Sequence, residues 1–100
     1  MPEERITCET PTPGKEPTRI AKWKYELVRS AILEVLEAQE EGLPFQQLPD
    51  RVAARISEEE RARLGSVSWY VTTVKLDLEC RGEIERIADS RPQRLRLAGG

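Results

Sequence analysis

The sequence contains no histidine, only two cysteines and no apolar run long enough to span a membrane. Without histidine, a histidine general base, a Ser-His-Asp triad and most zinc sites are excluded. Cys8 and Cys80 lie far apart in the sequence and form neither a disulfide framework nor a zinc site by themselves, so we interpret both as free thiols. We therefore expect a protein that is not an enzyme and that needs no cofactor, metal or small-molecule ligand.

The amino-terminal sequence MPEERITCE also lacks the basic flank and apolar stretch of a signal peptide. Together with the missing apolar run, this leads us to expect a cytoplasmic protein with no membrane partner. A chain of 100 residues is long enough for one domain with a modest core and too short for two.

The chain has no excess of positive charge, since its net charge is -2. Lys and Arg number 10 against 13 Asp and Glu through residue 65, and 6 against 5 from residue 66 onward. This balance argues against indiscriminate binding to nucleic acid, because phosphate binding scales with the number of cationic contacts. Near the carboxyl terminus, however, the arginines could form a small basic ridge, which would comprise Arg81, Arg86, Arg91, Arg94 and Arg96.

Residues 1–20 are polar and contain Pro2, Pro11, Pro13 and Pro17. Proline at this density disfavours helices and central strands, so we predict an extended amino-terminal arm with a short edge strand at 6–9. Two interpretations remain open for the arm. It is a disordered tail, or it packs along its own domain or a partner.

Apolar residues at helical spacing predict a long helix over 21–41, which Gly42 ends. Residues 43–45 are too few for a full strand but could add one pair of bonds to a small sheet. A second helix is predicted over 46–56. Ser57 and Glu60 form a capping-box pattern, which predicts a further short helix before Gly65.

The stretch from Gly65 to Gly82 predicts a helix capped by Ser66 or Ser68. One face carries Val67, Val71, Val74 and Leu78 with Tyr70 at its edge, and we expect it to pack on the core. The opposite face is unusually apolar for a surface that meets water, which indicates that something covers or binds it. Its residues are Trp69, Thr72, Thr73, Leu76 and Cys80, with Lys75 beside them.

Two strands are predicted over 83–88 and 93–98, around a turn at 89–92. Helices followed by a hairpin indicate an α+β, winged helix-turn-helix fold, with three main helices, a short extra helical turn and a carboxyl-terminal two-stranded wing. The predicted division is an extended arm over 1–20 and a winged-helix domain over 21–100.

The run SVSWYVTTVKLDLECRGEIERI, followed by PQRLRL, resembles a small bacterial winged-helix family of unknown function. Its signature is a tryptophan followed by V-[KQ]-L-D-L-E-x-[KR]-G-x-I-x-R, matched here by Trp69, Val74, Lys75, Leu76, Asp77, Leu78, Glu79, Arg81, Gly82, Ile84 and Arg86. The resemblance extends upstream to PTPGK and Lys24-Tyr25, so it covers most of the chain. The helices and hairpin are more loosely similar to the amino-terminal winged-helix domain of Mrr-type restriction proteins.

The first resemblance implies the fold and a regulatory label, the second implies DNA binding by analogy, and neither implies a catalytic site. Our first hypothesis is accordingly a DNA-binding transcriptional regulator that binds double-stranded DNA. Hydroxyl contacts in the major groove would come from Ser66, Ser68, Thr72 and Thr73. Phosphate contacts would come from Lys75, Arg91, Arg94 and Arg96.

The alternative hypothesis is a protein-interaction or dimerisation module that uses Trp69, Leu76 and Cys80 without binding DNA. A homodimer is the commonest way to bury such a surface. A third interpretation is that the hairpin and the arm cover these residues within one monomer.

Asp77 and Glu79 are two residues apart on the predicted helix, so they point about 200° away from each other and cannot share one site. We predict that Asp77 pairs with Arg81, four residues later, or with another cation of the hairpin. Cys80 lies near a helix carboxyl terminus, which disfavours a thiolate and therefore a reactive role.

Overall fold

Four α-helices and two small antiparallel sheets form the part of the chain that the computed structural model describes, residues 4–10, 14, 16–39, 41–87 and 93–98. This confirms the α+β class and is compatible with a winged-helix-like arrangement. A short 3-10 turn at Phe45–Gln47 precedes the second helix. In chain order the elements are β1 (Arg5–Cys8), β2 (Thr18–Ala21), α1 (Lys22–Glu37), β3 (Leu43–Pro44), α2 (Leu48–Ala53), α3 (Glu58–Leu64), α4 (Val67–Cys80), β4 (Ile84–Arg86) and β5 (Arg94–Leu97).

The first sheet is a hairpin, hereafter the N-terminal hairpin, in which β1 pairs antiparallel with β2. Side chains alternate across it, and those of Cys8 and Ile20 are buried in the common core. The segment predicted as an extended arm thus packs on its own domain, one of the two interpretations left open. The predicted edge strand is present as β1, whereas β2 was not predicted.

The second sheet has the strand order β3-β5-β4 and is antiparallel throughout. Leu43 lies opposite Leu95, so the short segment after α1 does add to the sheet as predicted. Leu95 is buried and Arg96 is exposed, the alternation expected of a strand with one face on the core. The predicted turn at 89–92 lies outside the described residues.

Two helices are shorter than predicted. α1 ends at Glu37, and the chain continues in tight turns in which the Gln39 amide donates to Leu36 and the Gly42 amide to Gln39. The physical reason is that Leu43 must leave the helix to pair with β5. α2 ends at Ala53 rather than 56, and it begins after the 3-10 turn because Pro49 in its first turn has no amide hydrogen to donate.

The predicted capping box is confirmed at the start of α3. The Ser57 hydroxyl accepts from the Glu60 amide at 3.0 Å, and the Glu60 carboxylate accepts from the Ser57 amide at 2.9 Å. Both bonds satisfy amides that have no partner within the helix.

The core lies between α1 and α4, with α2, α3 and the second sheet closing its remaining sides. The inward residues of α4 are Val71, Val74 and Leu78, and Val67 is partly buried beside them, as predicted. From α1 the core receives Tyr25, Val28, Ala31, Ile32, Val35 and Leu36. Within the described residues, no helix combines the length and apolar character required to cross a bilayer.

Candidate interaction surface

The start of α4 is fixed by one of the predicted cap residues. The Ser66 hydroxyl accepts a hydrogen bond from the Trp69 amide at 3.2 Å, so Ser66 caps the helix. Ser68 is exposed in the first turn. Among the described residues, Trp69 is the one large hydrophobic side chain that is exposed, at 48 % of its surface. The outer side of α4 therefore presents an indole to solvent at its amino-terminal end.

A groove of about 220 Å³ runs between α4 and the N-terminal hairpin, and we call it the α4–hairpin groove. From α4 it is lined by Trp69, Thr72, Thr73 and Leu76. The hairpin side and its connection supply Cys8, Glu9, Thr10, Glu16 and Thr18. The structure thus brings Trp69 and Leu76 of the predicted partner surface together with Thr72 and Thr73 of the predicted DNA contacts. Cys80 is exposed but does not line this groove.

The hairpin is held against α4 by a buried carboxylate. Asp77 Oδ1 accepts from the Glu9 amide at 2.9 Å, and Oδ2 accepts from the Tyr25 hydroxyl at 2.5 Å and from Arg81 Nε at 2.7 Å. The predicted pairing of Asp77 with Arg81 is confirmed, and two further donors were not predicted. Burial and the Asp77 hydrogen bond raise the pKa of Tyr25. Asp77 therefore connects α1, α4 and the hairpin that forms one wall of the groove.

Lys75 does not lie on the exposed face where the sequence placed it, and this expectation was wrong. Its side chain is buried, with Nζ 3.1 Å from Glu79 and 4.6 Å from the centre of the Phe45 ring. The reason is that the 3-10 turn before α2 brings Phe45 over this position. Burial lowers the pKa of Lys75 even though Glu79 acts in the opposite direction. Lys75 is thus not presented to a phosphate.

Arginines of the carboxyl-terminal part are largely engaged in ion pairs. Arg86 Nε is 2.5 Å from Glu79, and Arg96 Nε is 2.6 Å from Glu85 across the β4–β5 pair. Arg94 is half-buried on β5 and forms no ion pair within the described residues. Arg91, the remaining predicted phosphate contact, lies outside the described residues. Asp77 and Glu79 contact different partners on different sides of α4, as predicted.

Three aromatic side chains, Trp23, Tyr70 and Trp69, form what we call the aromatic cluster. The rings of Trp69 and Tyr70 meet edge to face, with centroids 4.8 Å apart. Lys24 Nζ lies 3.1 Å from the Tyr70 hydroxyl, 4.9 Å from the centre of that ring and 5.6 Å from the centre of Trp23. A cationic side chain therefore links Trp23 on α1 to the two aromatic residues on α4.

A second groove of about 570 Å³ lies between α1 and α3, and we call it the α1–α3 groove. Trp23 and Leu27 give it an apolar part, and the Arg63 guanidinium lies 5.0 Å from the centre of the Trp23 ring. The other lining residues are Glu26, Ser30, Glu59 and Glu60.

Neither cysteine shows the environment of a reactive thiol. Burial, with Asp77 nearby, raises the pKa of Cys8 to about 11. The pKa of the exposed Cys80 is also raised, by partial desolvation first and then by neighbouring carboxylates. In the part of the chain that is described, no group of three His, Cys, Asp or Glu side chains comes together to hold a metal ion.

Sequence reasoning missed the hairpin wall and the contribution of Trp23. A signal for the hairpin was present, because Ile6 and Cys8 alternate with polar neighbours and Gly14, at φ +81°, lies between two such segments. The α1–α3 groove that Trp23 lines was likewise not predicted from the sequence.

The family model of DUF6958, a family of unknown function, matches residues 5–95 of this chain. The chain belongs to the DUF6958 family. The match begins at the first residue of β1 and ends within β5, so it includes the N-terminal hairpin. No significant match was found among curated proteins or among solved structures.

Proposed function

We propose that this DUF6958 domain is a non-enzymatic interaction module that binds a protein partner through Trp69 and the α4–hairpin groove. The observation that carries the proposal is the exposure of Trp69 at the edge of a groove that Leu76 also lines. Tryptophan is one of the residue types enriched among the side chains that dominate interface energies. Burying the exposed surface of Trp69 against a partner removes apolar area from water, which lowers the free energy of the complex.

Electrostatics favour a protein over DNA as the ligand of this face. Lys75 is buried, and Glu9 and Glu16 are among the residues that line the groove beside α4. A phosphate backbone brought to α4 would meet these carboxylates, and the cation expected to neutralise it is not exposed.

The test is a selection from a random peptide library displayed on phage, with the domain immobilised. Each round is depleted on the Trp69→Ala variant, so that only peptides that need the indole are recovered. Ser68→Ala, an exposed neighbour on the same turn, is the matched control and should bind the recovered peptides like the wild type. Because a second copy of the chain is one candidate partner, light scattering over a concentration series of wild type and Trp69→Ala accompanies the selection. The proposal fails if no peptide prefers the wild type to Trp69→Ala and the two proteins also have the same oligomeric state.

Double-stranded DNA is the second candidate ligand, and the order of elements favours it. A helix pair followed by α4 and a hairpin, with the sheet order β3-β5-β4, supports a winged-helix fold in which α4 occupies the position of the recognition helix. Arg94, which is half-buried on the wing strand β5, is the described cation that we expect to contact phosphate. Fluorescence anisotropy on duplex fragments at low salt, comparing wild type with Arg94→Ala, tests this candidate. Absence of binding by the wild type rules it out.

A further inference from the structure

The aromatic cluster contributes one residue to each of the two grooves. Trp69 lines the α4–hairpin groove and Trp23 lines the α1–α3 groove. Tyr70 touches Trp69, and Lys24 contacts both Tyr70 and Trp23, so the cluster connects one groove to the other. A partner segment bound at Trp69 could therefore extend toward either groove.

Acidic residues outnumber cationic ones among the described residues that line each groove. The α4–hairpin groove contains Glu9 and Glu16, and none of its described lining residues is cationic. Among the described residues that line the α1–α3 groove, three are exposed glutamates and one is a cation, Arg63, whose guanidinium lies over the ring of Trp23. These glutamates are Glu26, Glu59 and Glu60.

Apolar contact area and negative charge occur together at this surface, and a partner must satisfy both. We propose that the segment bound at Trp69 carries lysine or arginine beside an apolar residue. The apolar residue packs on Trp69 and Leu76, and the cation pairs with Glu9 or Glu16, which line the same groove. The aliphatic stem and charged head of lysine or arginine also suit the face of an indole ring. An acidic segment would be repelled by the same carboxylates.

This inference rests on the proposed function, and its test uses the phage peptides that require Trp69. We expect their sequences to be enriched in lysine and arginine relative to the starting library. Their affinity is then measured for Glu9→Gln/Glu16→Gln, which removes the two charges of the α4–hairpin groove. The matched control is Glu37→Gln/Glu58→Gln, which removes two exposed charges that line neither groove.

We expect the groove variant to bind about two- to fivefold more weakly for each carboxylate removed, and added salt to weaken binding by the wild type. The control variant should bind like the wild type. Peptides that need Trp69 but lack cations, or that are insensitive to Glu9→Gln/Glu16→Gln, would overturn the inference and leave the proposed function standing. Failure to recover any peptide that needs Trp69 would instead contradict the proposed function.

Discussion

The Tyr25 hydroxyl donates a hydrogen bond to the Asp77 carboxylate over 2.5 Å, and both side chains are buried. The same carboxylate holds the Glu9 amide at the end of β1. One acidic residue of α4 thereby fixes the position of the hairpin that forms a wall of the α4–hairpin groove.

Asp77→Ala is expected to destabilise the protein by about 3–5 kcal/mol, because it leaves a buried hydroxyl and a backbone amide without an acceptor. Tyr25→Phe should cost less, about 1.5–3 kcal/mol, since Asp77 keeps its other two donors. Urea unfolding measures both. Tyr70→Phe serves as the control, because its hydroxyl contacts Lys24 at a partly exposed position. If Asp77→Ala were no more costly than Tyr70→Phe, the bridging role of Asp77 would be disproved.

Lys75 and Glu79 should respond unequally to substitution. Lys75→Met places an apolar side chain of similar length against Phe45, and Glu79 retains Arg86, so we expect stability within about 1 kcal/mol of the wild type or above it. Glu79→Gln leaves the buried ammonium of Lys75 without its carboxylate and should cost about 3 kcal/mol or more.

The double variant Lys75→Met/Glu79→Gln tests why Glu79→Gln should cost more stability than Lys75→Met. It should be more stable than Glu79→Gln alone, because the unpaired cation is no longer there. Equal stabilities of these two proteins in urea would show that the cost of Glu79→Gln does not come from Lys75.

Cys8 should make the protein less stable as the pH becomes alkaline. Its folded-state pKa is raised from 9.0 to about 11, mainly by burial. Between these values the unfolded chain has lost the thiol proton while the folded chain keeps it, so the free energy of unfolding falls as pH rises. The slope from this group approaches about 1.4 kcal/mol per pH unit.

The measurement is urea unfolding at a series of pH values for wild type and Cys8→Ala. Subtracting the two curves removes the contributions that both proteins share, among them those of Tyr25, whose pKa is raised, and of Lys75, whose pKa is lowered. The free energy of unfolding of the wild type minus that of Cys8→Ala should decrease as pH rises above 9. If this difference were constant with pH, it would contradict the burial of the Cys8 thiol.

Gly42 lies where the chain turns from α1 into β3, with φ at +89°. A Cβ there would lie 2.4 Å from Ile87 Cδ1 and 3.1 Å from the Leu95 carbonyl oxygen. Gly42→Ala should therefore cost the left-handed penalty of about 1–2 kcal/mol and, in addition, about 1 kcal/mol or more for crowding. Gly82→Ala, at φ +75° with open space around the added Cβ, should show the conformational cost alone. Thermal or urea unfolding of Gly42→Ala and Gly82→Ala measures the two costs. A larger cost for Gly42→Ala is expected because the register of β3 on β5 brings residue 42 close to Leu95.

Local patterns in the sequence were enough to predict much of the fold. Helical spacing identified the inward face of α4, and the Ser57–Glu60 pattern identified the start of α3, because both depend on neighbouring residues. The position of Lys75 could not be predicted in this way. It depends on Phe45, thirty positions earlier in the chain, which tertiary packing brings over it. The hairpin wall was missed because the proline content of the arm concealed the alternation of β1 and β2.

The central claim is that Trp69 is the anchor for a protein partner. The affinity of a recovered phage peptide for wild type and Trp69→Ala, with Arg61→Ala as an exposed control outside both grooves, tests it most directly. We predict that Trp69→Ala weakens binding about thirtyfold or more, the loss of an interface hot spot, and that Arg61→Ala has no effect. Equal affinity of wild type and Trp69→Ala for every binding peptide would contradict the account.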